Sequence, residues 1–216
     1  MGKIRVLIVD DHTILRQGIR SLLEDEPDIE VVGEAEDGHS AVKLASQLNP
    51  DVIVMDIAMP RLNGLEATRQ IRRNNSSIKI LILTMHENEE YIRQVLAAGA
   101  MGYILKDAAS SELLAAIRSI QSGEAVLSPA ITRLVIADYL RWGDLKPEKS
   151  IDGLSDRERE ILQLIAEGYT NKQIAEILCL SIKTIQAHRL NLMKKLNLHN
   201  RGELIKYAIQ KKIIDL

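Results

Sequence analysis

Between Asp51 and Gly64 the chain runs VIVMDIAMPRLN, and its first four residues, Val52–Met55, constrain the fold most strongly. Four consecutive apolar residues are too few for a helix and show no polar alternation. They predict a strand covered on both faces, as in the middle of a parallel sheet. Asp56 ends the run and so stands at the carboxyl end of a core strand, the edge at which open α/β sheets bind ligands. Taken alone, an Asp after a strand is more readily explained as a turn former or a helix cap. Its meaning depends on what the rest of the chain brings to that edge.

From Ile4 to Leu105 short β-branched runs alternate with helical segments. The predicted strands are Ile4–Val9, Ile29–Ala35, Val52–Met55, Ile80–Thr84 and Gly102–Leu105. Between them apolar residues recur at helical spacing: Ile14, Leu15, Ile19, Leu22 and Leu23; Ala41, Val42, Leu44, Ala45 and Leu48; Leu65, Ala67, Thr68 and Ile71; Ile92, Val95 and Leu96. A closing helix over Ser111–Ser122 turns Leu113, Leu114, Ile117 and Ile120 inward. Five strands alternating with five helices predict an α/β doubly wound, five-stranded parallel sheet with right-handed crossovers. Pro27, Asn49-Pro50, Pro60, Gly64 and Gly99 fall between elements.

Gly123–Ile151 reads as a connector, with Ser128-Pro129 opening a helix over about 130–140 and a polar stretch, Gly143–Ser150, after it. Beyond Leu154 strand signals end and an all-α domain of four helices is expected. Ser155 with Glu158 and Thr170 with Gln173 form capping boxes, Gly168 closes the first helix, and Ser181 and Asn200 cap the third and fourth. Helix Asn171–Leu178, a turn at Cys179-Leu180 and helix Ile182–Leu196 have the spacing of a helix-turn-helix. The expected domains are therefore 1–123, a linker over 124–150, and 151–216.

The net charge of −2 hides a contrast between these parts. Residues 1–124 hold 13 basic and 19 acidic side chains, a balance of −6, whereas residues 151–216 hold 11 and 8, a balance of +3. An acidic half joined to a basic half suggests a metal-binding or regulatory module tethered to an anion-binding one. The single cysteine, Cys179, excludes an internal disulfide and a cysteine-based zinc site, and reads as a small buried apolar residue. The amino terminus shows no signal-peptide pattern, and no apolar run approaches membrane-spanning length, so a cytoplasmic location without membrane association is expected.

In such a sheet the strand ends converge. The first ends in Asp10-Asp11, the third in Asp56, the fourth in Thr84 and the fifth in Lys106. Carboxylates crowded together raise one another's pKa unless a cation neutralises them. A hard divalent ion with oxygen ligands, Mg²⁺, is the natural occupant. A carboxylate beside Mg²⁺, with Thr84 and Lys106 placed for phosphate oxygens, is a nucleophile suited to phosphoryl transfer.

At these residues the chain resembles the receiver domains of two-component response regulators. The matching stretches are VLIVDDH at 6–12, VMDIAMPRLNG at 54–64, LT at 83–84 and GYILKD at 102–107. The resemblance implies a flavodoxin-like fold in which Asp56 accepts a phosphoryl group from a sensor histidine kinase. Asp10, Asp11, Asp56 and the Ala58 carbonyl would hold Mg²⁺, Thr84 and Lys106 would bind the phosphoryl oxygens, and Tyr103 with Thr84 would form the switch, the ring turning inward after phosphorylation. Ala58 and His86 occupy two variable positions flanking that pocket.

The second half resembles LuxR-type DNA-binding domains of the NarL/FixJ subfamily, through LSDREREILQLIAEGYTNKQIAEIL at 154–178 and LSIKTIQAHRLNLMKKLNLHNRGELIKYAI at 180–209. Helix Ile182–Leu196 carries its charge outward, with Ile185, Leu192 and Leu196 facing in. Lys183, Thr184, Gln186, Ala187 and Arg189 are the candidate base readers, Asn191, Lys194 and Lys195 lie nearer phosphates, and His188 either contacts DNA or packs against its own domain. The combined resemblance implies a transcription regulator rather than an enzyme, a homodimer when phosphorylated, with promoter DNA and RNA polymerase as partners. An orphan receiver that ignores phosphorylation is the main alternative. A metal-dependent phosphatase would need a second acid two residues beyond its nucleophile, where this chain has Ala58, and a dinucleotide-binding domain would need glycines where it has Asp10-Asp11.

Overall fold

The computed structural model describes residues 2–85, 89–127, 132–133, 153–211 and 213–214. The chain divides into two compact units, Met1–Leu145 and Lys146–Leu216.

The first unit runs β1 (Ile4–Val9), α1 (Thr13–Glu24), β2 (Ile29–Ala35), α2 (Gly38–Leu48), β3 (Val52–Met55), α3 (Gly64–Asn74), β4 (Lys79–Thr84), α4 (Glu89–Ala97), β5 (Gly102–Leu105), α5 (Ser110–Ser122) and β6 (Val126–Leu127). The strands pair in parallel in the order β2-β1-β3-β4-β5-β6. The chain thus starts in the middle of the sheet and winds outward first one way, then the other.

Side chains that alternate along each strand fill two separate cores. Leu7, Val9, Ile53, Met55, Ile80 and Ile82 pack against α2, α3 and α4, while Val6, Ile8, Val52, Val54, Leu81 and Leu83 pack against α1 and α5. All of these are essentially removed from water. Each such side chain contributes about 1.5–3 kcal/mol relative to exposure, which is why the central strands are continuous apolar runs.

Two sequence expectations are corrected here, and a third lies outside the described residues. The sheet has six strands rather than five, because Val126–Leu127, inside the stretch assigned to the connector, pairs with Gly102 and Tyr103 at the edge. Two residues carry too little periodicity to register in a sequence. Ile14, expected on the inner stripe of α1, is 87% exposed, and the stripe is carried instead by Leu15, Ile19, Leu22 and Leu23. The predicted helix near 130–140 lies outside the described residues apart from Thr132 and Arg133, as does His86.

The second unit contains α6 (Asp156–Ala166), α7 (Asn171–Ile177), α8 (Ile182–Leu196) and α9 (Arg201–Gln210). Both capping boxes form, and Ser181 and Asn200 accept from the backbone amides of Thr184 and Glu203. Gly168, at φ 99°, provides the left-handed turn after α6. Ile161, Leu162, Ile165, Ile174, Ile185, Leu192, Leu204 and Ala208 make the core. Cys179 is exposed, contrary to its buried reading. It sits in the helix-turn-helix turn at φ 52°, so its backbone, not packing of its thiol, sets its place.

Candidate functional site

The acidic residues meet because the hydrogen-bond ladder of the sheet extends one residue past each strand. The Asp10 amide donates to the Ala35 carbonyl at 3.1 Å, the Asp56 amide to Val9 at 2.8 Å, and the Lys106 amide to Thr84 at 2.8 Å. Residues from three strands are therefore held at one edge by backbone register, independent of their side-chain chemistry.

Lys106 joins them. Its Nζ lies 2.8 Å from Oδ2 of Asp10 and 2.8 Å from Oδ2 of Asp56, and all three side chains are at most 6% exposed. The other oxygens are also engaged: Asp10 Oδ1 accepts from the His12 amide at 2.8 Å, and Asp56 Oδ1 from the Ile57 amide at 2.7 Å. Burial raises the pKa of Asp56, and its bonds to Lys106 only partly offset that rise. Burial also pulls Lys106 down, but Asp10 and Asp56 outweigh it and hold the ammonium above the ordinary lysine range. The lysine is thus a fixed cation at neutral pH, and Asp56 is a carboxylate with less compensation than its burial demands.

Asp11, a third exposed, points its Oδ1 into the same pocket, where that atom is shielded from solvent and receives no hydrogen bond. His12, which the sequence reading did not single out, brings Nδ1 within 3.0 Å of Asp11 Oδ1 and 3.2 Å of Asp10 Oδ1, close enough to pair when protonated. Ligand atoms of Asp10, Asp11, His12 and Asp56 all lie within 4.8 Å of one another. The only sequence signal for His12 was its place directly after the acid pair.

The loop after β3 completes the pocket. Gly64 donates its amide to the Ile57 carbonyl at 2.9 Å, and a Cβ there would run into the backbone carbonyl of Asp56. Glycine is needed at that position for close approach. Asn63 caps α3, and Ala58 is exposed on the loop beside Asp56. Asp37, the cap of α2, accepts from the Ser40 amide at 2.8 Å and pairs with Arg61 of the same loop. Thr84 is fully buried at the end of β4, and Tyr103 is buried at 1% exposure in the core beside it in the sheet. An inward turn of that ring on phosphorylation was expected, but in this structure it is already inside.

In the second unit α8 turns Ile185 and Leu192 inward, fully buried, and Leu196 partly so. Lys183, Gln186, Ala187, Asn191, Lys194 and Lys195 are exposed, whereas Thr184, His188 and Arg189 are half-buried. Thr184 Oγ1 lies 2.7 Å from Ser181 Oγ within the helix cap. Lys195 is drawn back onto its own domain, 2.7 Å from Glu158 Oε2 and 3.2 Å from the Gly153 carbonyl. Glu158 is buried, which by itself raises its pKa, but Lys195 and Ser155 reverse the shift and hold it low.

Residues 6–118 match the response regulator receiver domain family, and residues 152–208 match the bacterial regulatory proteins of the luxR family. The chain belongs to the two-component response regulators. It is 42% identical to the oxygen regulatory protein NreC of Staphylococcus carnosus, over 98% of this chain and 99% of that one, and 42% identical to the transcriptional regulatory protein LiaR of Bacillus subtilis, over 98% and 100%. Among solved structures, the response regulator RcsB in complex with DNA is 32% identical with a TM-score of 0.58, covering 96% of this chain and 98% of that one. The family is one of DNA-binding transcription regulators that act with histidine kinases, and its receivers bind Mg²⁺ at an acidic pocket. Among the described residues no helix is long and apolar enough to cross a membrane.

Proposed function

We propose that this response regulator is switched by phosphorylation of Asp56, with Mg²⁺ held in the acidic pocket, and that the switch controls DNA binding by α8. The observation that carries the reading is the buried Lys106 ammonium on both Asp10 and Asp56, at the one edge where three strand ends deliver their side chains.

The donor set suits a hard divalent cation. It consists of carboxylate oxygens from Asp10, Asp11 and Asp56, with the Ala58 carbonyl on the adjoining loop, and the shielded Asp11 Oδ1 makes no hydrogen bond, with His12 Nδ1 3.0 Å away able to pair with it only when protonated. When bound there, Mg²⁺ would neutralise these carboxylates and draw charge from the phosphoryl oxygens. An Asp56 oxygen attacks phosphorus as the phosphorus–nitrogen bond of the kinase's phosphohistidine breaks, and the imidazole leaves. Lys106 is already within salt-bridge distance of that carboxylate and stabilises the equatorial oxygens, helped by the Thr84 hydroxyl. His12, at the pocket mouth, is a neighbour of the acids rather than part of the transfer. Thr84 and Tyr103 on adjoining strands are the positions through which the new phosphate reaches the rest of the receiver.

The functional boundaries follow the same reading: a receiver over 1–123, a linker over 124–150 and a DNA-binding domain over 151–216. The phosphorylated chain dimerises on promoter DNA, where RNA polymerase is the expected partner, and it works in the cytoplasm. RcsB forms a complex in which two dimers are bound to two parallel DNAs, which supports a dimeric DNA-bound form here. On α8, Lys183, Gln186 and Ala187 face outward and are placed for base edges, with the Lys183 ammonium also within reach of a groove-wall phosphate. Asn191 and Lys194 are placed for phosphates. Thr184, His188, Arg189 and Lys195 stand at the flanks, where their domain already holds them in part.

Incubating the chain with acetyl phosphate and Mg²⁺ and weighing it intact tests the pocket. Wild type gains about 80 Da, one phosphoryl group, and Asp56→Asn gains nothing. Phosphorylation of the variant on another pocket acid would refute the assignment.

A further inference from the structure

Leu190 is one of four large apolar side chains left in the open among the described residues, at 67% exposure. It lies on α8, whose inward face is occupied by Ile185, Leu192 and Leu196, and it takes no part in the core those residues build. At about 100° per residue, Leu190 falls roughly 140° around the helix from Ile185. That places it on the outward stripe of Lys183, Ala187, Leu190 and Lys194, all four of them exposed. Arg189, by contrast, is turned toward the flank and half-buried.

We propose that Leu190 is a specificity-determining residue that packs on the C5-methyl group of a thymine in the major groove and so selects one base pair in each half-site. This rests on the reading of α8 as the recognition helix. In the major groove that methyl is the apolar feature of the base edges, and an apolar side chain long enough to reach it from its place on the helix reads it by contact. Lys183 and Lys194 stand about 10 Å and 6 Å along the axis from Leu190, at 1.5 Å per residue. Their ammonium groups therefore bracket the apolar contact and reach for the phosphates that line the groove walls. Ala187, one turn before Leu190, lets the helix approach closely, and the amide of Gln186 flanks the contact for a neighbouring base.

The charge of the helix selects this occupant. α8 contains no acidic residue and carries Lys183, Arg189, Lys194 and Lys195. A second copy docked on this stripe about a two-fold axis would set lysines against lysines. A polyanion with a methyl group at its centre matches both the lysines and the leucine.

The test uses the full chain with acetyl phosphate and Mg²⁺, and a duplex library randomised over two helical turns. Sequences selected by wild type should contain a fixed thymine in each half-site, and Leu190→Ala and Leu190→Lys should lose the preference at that position while keeping the others. Both variants should melt at the wild-type temperature, because the side chain is exposed. In the selected duplex, replacing that thymine by deoxyuridine removes only the methyl group. Wild type should then lose roughly fourfold in affinity per half-site, the value for withdrawing about one buried methyl-sized group, and Leu190→Ala should lose nothing more. An equal loss in wild type and Leu190→Ala, or an unchanged consensus in both variants, overturns the proposal. Failure of wild type to enrich any sequence overturns the reading of α8 on which it rests.

Discussion

Replacing Lys106 by methionine keeps most of the side-chain volume and removes one charge from between two buried carboxylates. In the intact pocket Lys106 lies 2.8 Å from each of Asp10 and Asp56. Breaking a buried ion pair by deleting one partner costs about 3–5 kcal/mol, because the remaining charge is stranded. The lower end applies here, since Asp56, already pushed upward by burial, can take up a proton. A loss of about 3 kcal/mol in a unit of this size lowers its melting temperature by roughly 6–12 °C. Calorimetry of the full chain in EDTA reads this directly, as one transition that moves while that of the helical domain stays. Adding Mg²⁺ should recover more stability in Lys106→Met than in wild type, because the ion replaces the cation that was lost. An unmoved transition in EDTA, or equal stabilisation of both proteins by Mg²⁺, would refute the view that Lys106 compensates the pocket. The sign of the pH response is also determined. The Lys106 pKa is raised on folding, so its contribution is fully present below the ordinary lysine range and is lost as pH rises through the folded value.

Other consequences follow from neighbouring features. Gly64→Ala would drive a methyl group into the Asp56 carbonyl, so it should cost about 2 kcal/mol or more of receiver stability and slow phosphorylation by displacing Asp56, as seen by urea denaturation and intact mass. Glu158→Gln should destabilise the helical unit by about 1 kcal/mol at neutral pH, discounted because Lys195 is half in solvent. Since the folded pKa of Glu158 is depressed, the difference from wild type should persist above the ordinary glutamate range and vanish as pH falls through the folded value, measured by thermal denaturation. If the receiver restrains the basic half, the fragment Leu154–Leu216 should bind a selected duplex more tightly than the unphosphorylated chain. Equal affinity at matched salt would exclude restraint.

The legible parts of this chain are those in which local chemistry dictates the outcome. Val52–Met55 lacked polar positions and became a central strand. Ser155-Glu158 and Thr170-Gln173 carried their helix starts within four residues, and both boxes formed. Asp10, Asp56 and Lys106 were recoverable as a cluster because parallel register aligns strand ends, a property of the backbone. What escaped depended on tertiary context. Ile14 has helical spacing but falls beyond the edge of the face that α1 buries. Cys179 is apolar in composition, yet its left-handed backbone in a turn keeps the thiol at the surface. Val126–Leu127 is a strand only because β5 offers an unpaired edge. The outward turn of Leu190 and the inward lean of Arg189 reverse what charge alone suggested for the two residues, since the phase of α8 is set by Ile185 and Leu192.

The central claim is that chemistry at Asp56 changes the affinity of α8 for DNA. Titration of one selected duplex, at fixed salt and protein concentration, with wild type and Asp56→Asn before and after acetyl phosphate and Mg²⁺ measures it most directly. Coupling between sites of about 1–3 kcal/mol predicts that phosphorylation tightens wild-type binding roughly 5- to 150-fold and leaves Asp56→Asn unchanged. Equal affinity of phosphorylated and unphosphorylated wild type, with the mass gain at Asp56 verified in the same sample, would contradict it.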